Sequence, residues 1–338
     1  MSEPTLSRES RPYAARPEGA EAVLIPVPWE ATGPPVGTGR APAAILAASD
    51  RMSPLHRTLG RPDSRGIAAL EVSEDVREWS QEARRWAQPV RDGAADAELP
   101  GCLERVEALG DRLNEWVYAE SRRWIGSGKL AAVVGGDQSA AFGLIRAAAE
   151  THAGLGVLHV DARPDLGPRS EPFRWSRRSI IRNALKEIPE VAGVIQVGLR
   201  ELDESEAEEM DRHPRRLRGH FEADLRAELL GGEVFTHLAK RIVADLPGTV
   251  YISFDVTGLD HSLCPHAAAP LPGGLSFAEA EALLRAVVES GRRIVGFDLS
   301  EVGAPSSDEG GWDALVGARL LYALVGYALR SRESGTRA

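Results

Sequence analysis

Residues 133–143 read VVGGDQSAAFG, and residues 158–167 read LHVDARPDLG. Each stretch is an apolar run that ends abruptly in small and acidic residues. That is the form of a buried parallel strand whose carboxyl end opens on a site. Each also holds a residue at odds with its neighbours, Gln138 in the first and Arg163 in the second. Carboxylates gathered at strand ends suit a bound cation, and neither an amide nor a guanidinium is an ordinary member of such a set.

The runs at 22–28, 130–135, 155–161, 191–198, 249–255 and 293–299 share this form, short and nearly continuous in Val, Ile, Leu and Ala. They predict strands covered on both faces. Helical periods lie between them at 103–124, 140–152, 235–246, 277–288 and 312–329. Ser276 with Glu279 three residues on predicts a capping box at the start of the fourth. Strands alternating with helices imply one α/β domain, a three-layer sandwich with a mainly parallel sheet. The domain is expected over 21–330, between a polar tail at 1–20 and a second tail at 331–338. Residues 51–100 read as a loop-rich segment.

Composition narrows the function. A formal net charge of -10 argues against general nucleic-acid binding. The pairs Arg177-Arg178 and Arg215-Arg216 read as solvated faces, as does the acidic run 201–211. No run of about 18 apolar residues predicts a membrane span, and the N-terminus lacks the apolar core of a secretory signal. Two cysteines do not make a disulfide framework and suit a reducing, cytoplasmic setting.

The strand-end residues are the candidates for a site: Gly135 to Gln138, Asp161 to Asp165, Asp255 to Asp260, and Asp298 to Glu301. One such Asp is as well explained by a turn or a helix cap; four clusters at strand ends converge on a pocket. Asp137 reads as a turn-holding residue and His159, inside an apolar run, as a hydrogen-bonded core histidine. His261, Cys264 and His266 match no established zinc spacing and read as loop packing.

In this order the segments resemble the ureohydrolases, the family of arginases and agmatinases that hydrolyse guanidino compounds with two manganese ions. GGDQS at 135–139 is similar to the family's G-G-D-H-S, DARPD at 161–165 to D-A-H-x-D, and SFDVTGLDH at 253–261 to S-x-D-x-D-x-x-D-P. PLPGGL at 270–275, DLSEVGAP at 298–305 and GTGRAPAAI at 37–45 continue the likeness, which spans about residues 20 to 330. The resemblance implies an arginase-type fold and a trimer or hexamer. It also assigns positions. Asp161 and Asp255 fall on the ligands that bridge the two metals and Asp165 on a ligand of the first. Gln138 stands where that first ion has a His. Arg163 and Thr257 stand where the second has a His and an Asp. Arg169, in PRSEPFR, is matched to the His of a substrate-side S-H-G-T-P-F-R loop. Glu301 falls on the residue that holds the substrate's guanidinium or amine end, with Gln138 and Thr257 beside it.

A guanidinium is not a metal ligand and keeps its charge, but its fork binds two carboxylates. Arg163 is therefore expected to replace the second manganese as the partner of Asp161 and Asp255. Three Asp against one or two Arg leave the pocket anionic, so it must take up a cation, a proton or a cationic ligand. No resident cofactor is expected, or at most one hard divalent ion (manganese or magnesium) on Asp161, Asp165, Asp255 and Gln138. Without a metal pair no hydroxide forms between two ions. The expected protein is a non-catalytic homologue that binds a small cationic guanidino or amino metabolite, or a partner. One alternative is metal-independent or altered C–N chemistry, with Asp161, Asp165 or Asp255 as base and Arg163 and Arg169 stabilising an anion. The other is a weakened mononuclear amidinohydrolase.

Overall fold

The computed structural model describes residues 12–93, 99–167, 172–305 and 311–333. Among the described residues there are eight strands: β1 (Ala22–Val27), β2 (Ile67–Ala69), β3 (Leu130–Gly135), β4 (Leu155–Val160), β5 (Val191–Leu199), β6 (Leu217–Phe221), β7 (Thr249–Asp255) and β8 (Arg293–Ser300). They form one sheet in the order β2-β1-β3-β8-β7-β4-β5-β6, and every pairing is parallel. The six apolar runs are thus strands, as expected. β2 and β6, the two edges, were not legible: they are short and carry little apolar sequence of their own.

Among the described residues ten α-helices cover the sheet. These are α1 (Ala41–Ser49), α2 (Glu74–Arg91), α3 (Leu99–Gly126), α4 (Phe142–Thr151), α5 (Ile180–Glu187), α6 (Glu204–Arg212), α7 (Glu222–Leu230), α8 (Phe235–Ala244), α9 (Phe277–Glu289) and α10 (Trp312–Glu333). Apolar stripes of α1, α8, α9 and α10 pack into one core. Those of α2, α3, α4 and α5 pack into the core on the opposite face. The result is a single-domain, three-layer α/β sandwich. The Ser276–Glu279 capping box opens α9 as expected.

Two expectations need correction. The segment 51–100 is not mainly loop: α2 occupies 74–91, with Ser73 accepting the Val76 N–H as its cap. Its many charged residues face solvent, which hid the narrow stripe of Val76, Ala83 and Ala87. Residues 12–20, expected within the N-terminal tail, pack on the domain. Tyr13 is buried, donates to the Ala318 carbonyl at 3.3 Å, and meets the Tyr322 ring. Residues 1–11 and 334–338 lie outside the described residues. α10 is long and apolar enough to cross a membrane by length and composition, yet most of it is buried as a core helix.

Candidate functional site

β3, β8, β7 and β4 are the four adjacent central strands, so their carboxyl ends bring the candidate segments together. Gln138 begins a short turn after β3, which Asp137 caps by accepting the Ser139 N–H at 3.0 Å. Asp255 ends β7 and accepts the Thr257 N–H at 2.6 Å. Asp161 follows β4 and Glu301 follows β8. Gln138, Asp161, Asp165, Asp255, Thr257 and Glu301 are all buried. Asp165 (φ 51°) and Glu301 (φ 64°) are the non-glycine residues with left-handed backbone among those described. Such strain is held in place by surrounding structure and gathers at sites.

The carboxylates differ in their partners. Asp161 Oδ1 accepts from Arg163 N–H and Thr257 Oγ1, each at 2.9 Å, and its Oδ2 lies 3.4 Å from His159 Nε2. Burial pushes this carboxyl up, but the hydrogen bonds and charge of His159, with those of Arg163 N–H and Thr257, outweigh it and hold it at about 2. Asp165 is pushed well above the carboxylate range by burial and then by the nearby Asp161 and Asp255. Its Oδ2 has no hydrogen-bond partner. Asp255 is raised likewise, by burial and then by Asp161 and Glu301. Burial lifts Glu301 to about 7 despite the opposing charge of Arg177.

The arginines are not where the sequence reading puts them. Arg163 does not bridge Asp161 and Asp255. Its guanidinium bonds Glu201 at 2.5 Å and the Ala269 carbonyl at 3.1 Å, and only its backbone N–H reaches Asp161. The half-exposed Glu201 offers a carboxylate that is better solvated than the buried pair, so the fork turns outward. Arg169 lies outside the described residues. The guanidinium brought to Glu301 belongs to Arg177, with Nη1 3.6 Å from Glu301 Oε2. Arg178 pairs with the buried Glu206 at 3.5 Å. Neither is a solvated face. The signal for Arg177 was present: SRRSIIR, 176–182, matches the S-H-G-T-P-F-R pattern with Ser first, a hydroxyl fourth and Arg last. That register would set Arg177 rather than Arg169 in the place of the loop's His.

His159 is the core histidine expected, with both ring nitrogens engaged by glutamine amides, Gln138 at 2.8 Å and Gln196 at 2.9 Å. It also stands 3.7 Å from Asp165 Oδ2, so it is part of the site. Its ring nitrogen and the carboxylates of Asp161 and Asp165 gather closely enough to hold an ion. The same Nε2 faces Gln138, Asp161 and Asp165, so the ring can act as a partner of the carboxylates or as a ligand beside them. Glu206, within the acidic run, is buried and accepts from the Leu166 and Asp203 N–H groups. His261 and His266 are exposed and Cys264 is buried. His266 binds Asp313 through its ring Nδ1 (3.1 Å) and its backbone N–H (2.9 Å), which is loop packing.

Asp161, Asp165, Asp255 and Thr257, with Ala269 and the arginines 163, 177 and 178, enclose a cavity of about 10 Å³. That is room for one water or one small ion, and a guanidino compound enters only if this arginine rim moves.

The likeness in sequence covers the whole domain. The arginase-family model matches residues 20–326. The chain is 32% identical over 315 residues to the N(1)-aminopropylagmatine ureohydrolase of Thermus thermophilus, covering 91% of this chain and 90% of that one. It is 34% identical over 200 residues to the proclavaminate amidinohydrolase of Streptomyces clavuligerus, covering 56% and 60%. In structure it resembles the agmatine ureohydrolase of Thermoplasma volcanium, with a TM-score of 0.71 at 19% identity, covering 97% of this chain and 96% of that one. A parallel sheet in this strand order, carboxylates at its four central strand ends, and a match along almost the whole length lead to one assignment: the chain belongs to the arginase family.

Proposed function

We propose that this is an arginase-family protein that no longer hydrolyses guanidino compounds through a metal pair, and that its carboxylate site binds a small guanidino or amino cation. The observation that carries the reading is the fate of the second ion's own ligand positions. Arg163 is turned to Glu201, and the Thr257 hydroxyl donates to Asp161. Neither residue is left to hold an ion, so two ions do not fit this side-chain set.

One hard divalent ion does fit. Asp161, Asp165, Asp255 and Gln138 supply oxygens of the preferred kind, and Asp165 Oδ2 and Gln138 Oε1 are buried without a hydrogen-bond partner. When bound, such an ion would polarise a water, but less than a shared pair does. This favours the weakened mononuclear amidinohydrolase as the second reading.

Binding asks less of the site than hydrolysis. Burial and then the charge of Asp161 push the carboxyls of both Asp165 and Asp255 up, so the site favours added positive charge. An entering cation would meet that demand. Agmatine at millimolar concentration should therefore raise the melting temperature through ligand linkage without releasing urea. Glu301→Gln should reduce the shift. No shift with agmatine, together with product formed from another C–N substrate, would favour altered chemistry instead. No shift and no product would leave the fold's surface as the functional part.

A further inference from the structure

The cation at Glu301 is already supplied by the chain. Arg177 lies in a short turn (Arg177–Ser179) fixed by a reciprocal Ser176–Ser179 cap. Ser179 Oγ donates to the Arg174 carbonyl at 2.7 Å, which ties the turn to the preceding segment. The side chain of Arg177 is 17% exposed, that of Glu301 1%. The guanidinium packs beside Gly33, where an added Cβ would be 3.9 Å from its Cζ and Nε.

The two oxygens of Glu301 are held unequally. Oε1 accepts the Gln138 N–H at 3.0 Å. Oε2 is buried, makes no hydrogen bond, and has Arg177 Nη1 at 3.6 Å, the distance of an ion pair without a hydrogen bond. A carboxylate bonded on one side and only loosely paired on the other is poised to exchange its cation. A free guanidinium, unrestrained by a backbone, can approach to normal hydrogen-bond distance, about 2.8 Å.

We propose that Arg177 is an internal guanidinium that occupies the Glu301 subsite and competes with the external cation, and so sets the affinity and selectivity of the pocket. This rests on the binding reading above and adds to it. The closed cavity is the form with Arg177 in place, and the ligand-bound form is the one with Arg177 displaced. A ligand must then offer Glu301 more than Arg177 does. That favours guanidinium compounds, which make paired N–H contacts, over simple ammonium ions of the same charge.

The test is calorimetric titration of agmatine into the full-length wild type, Arg177→Ala, Arg177→Lys and Arg177→Ala/Glu301→Gln, with melting curves in millimolar methylguanidinium. Arg177→Ala should bind agmatine at least about ten-fold more tightly than wild type. Methylguanidinium should restore part of its lost melting temperature while leaving the wild type unmoved. The double variant should lose both effects, and Arg177→Lys should stay near wild type. Should Arg177→Ala not accumulate, Arg177→Gln keeps the packing beside Gly33 and carries the same comparison. Wild-type binding that Arg177→Ala leaves unchanged or weakens would overturn the competition and spare the binding reading. Binding by Arg177→Ala with none by wild type would sustain the competition and overturn that reading for the native chain. No binding by either would overturn both.

Discussion

Asp161→Ala should destabilise the protein by about 3–5 kcal/mol, the usual result of removing one partner from a buried charged cluster, whereas Asp165→Asn should stabilise it by about 1–2 kcal/mol at pH 8. The two carboxyls are neighbours in one motif, yet their surroundings are opposite. Asp161 accepts from Arg163 N–H and Thr257 Oγ1 and faces His159, so its loss strands buried donors. Its folded value, about 2, lies below the ordinary one near 3.9. Its stabilising contribution is therefore present above about pH 4 and is lost as pH falls through about 2, and the gap between wild type and Asp161→Ala should close over that window. Asp165 is the reverse case. Its raised value means the folded state holds a proton that the unfolded chain releases, so stability falls as pH rises above about 4. Asn removes that liability, tolerates the left-handed backbone at φ 51°, and offers an N–H to the neighbouring carboxylates. Denaturant melts of both variants between pH 3 and 8 decide the matter. A tightly held structural ion would reverse the second sign, because Asp165→Asn would remove one of its ligands.

Gly136→Ala should cost more than about 3 kcal/mol or prevent accumulation of folded protein, while Gly135→Ala should stay within about 1 kcal/mol. A Cβ on Gly136 would lie 1.8 Å from the Trp29 carbonyl oxygen, whereas one on Gly135 would find its nearest neighbours at 3.6 Å. The Trp29 oxygen is backbone and already accepts the Asp137 N–H at 2.8 Å, so no side-chain rotation relieves the clash. Relief would move the strand end itself. The bond from Glu301 N–H to the Gly136 carbonyl (2.9 Å) would go with it, and with that the position of the Glu301 carboxylate. Overpacking usually costs about 1–3 kcal/mol, and a backbone-to-backbone clash belongs above that range. Chemical denaturation of the two single variants separates them.

The sheet was legible because six of its strands are largely buried on both faces and therefore mostly apolar. β2 escaped because it is only three residues long, β6 because LRGHF buries little more than Leu217, and α2 because its apolar stripe is only Val, Ala and Ala against a charged face. At the site, the positions were legible and the pairings were not. Asp161, Asp165, Asp255 and Glu301 follow from strand ends and order alone. Which carboxylate an arginine chooses depends on solvation and on neighbours distant in sequence. Arg163 reaches Glu201, and Arg178 reaches Glu206, in a run that reads as solvent-facing. Arg177 lies eight residues after Arg169, where the family-like loop pattern was sought, and the structure sets it against Glu301.

The family fold tolerates these changes because the fold and the chemistry rest on different atoms. Asp137 still caps its turn, and Asp255 still caps the turn after β7. The oxygens that would face a second ion have Thr257 and the Arg163 backbone as partners. The most direct test of this account is urea release by the protein saturated with manganese and supplied with agmatine, with bound metal counted in the same sample. The account predicts fewer than two ions per chain and no urea above the uncatalysed background. Two manganese ions per chain, with urea released in proportion to metal at ordinary enzymatic rates of roughly 1–1,000 per second, would contradict it.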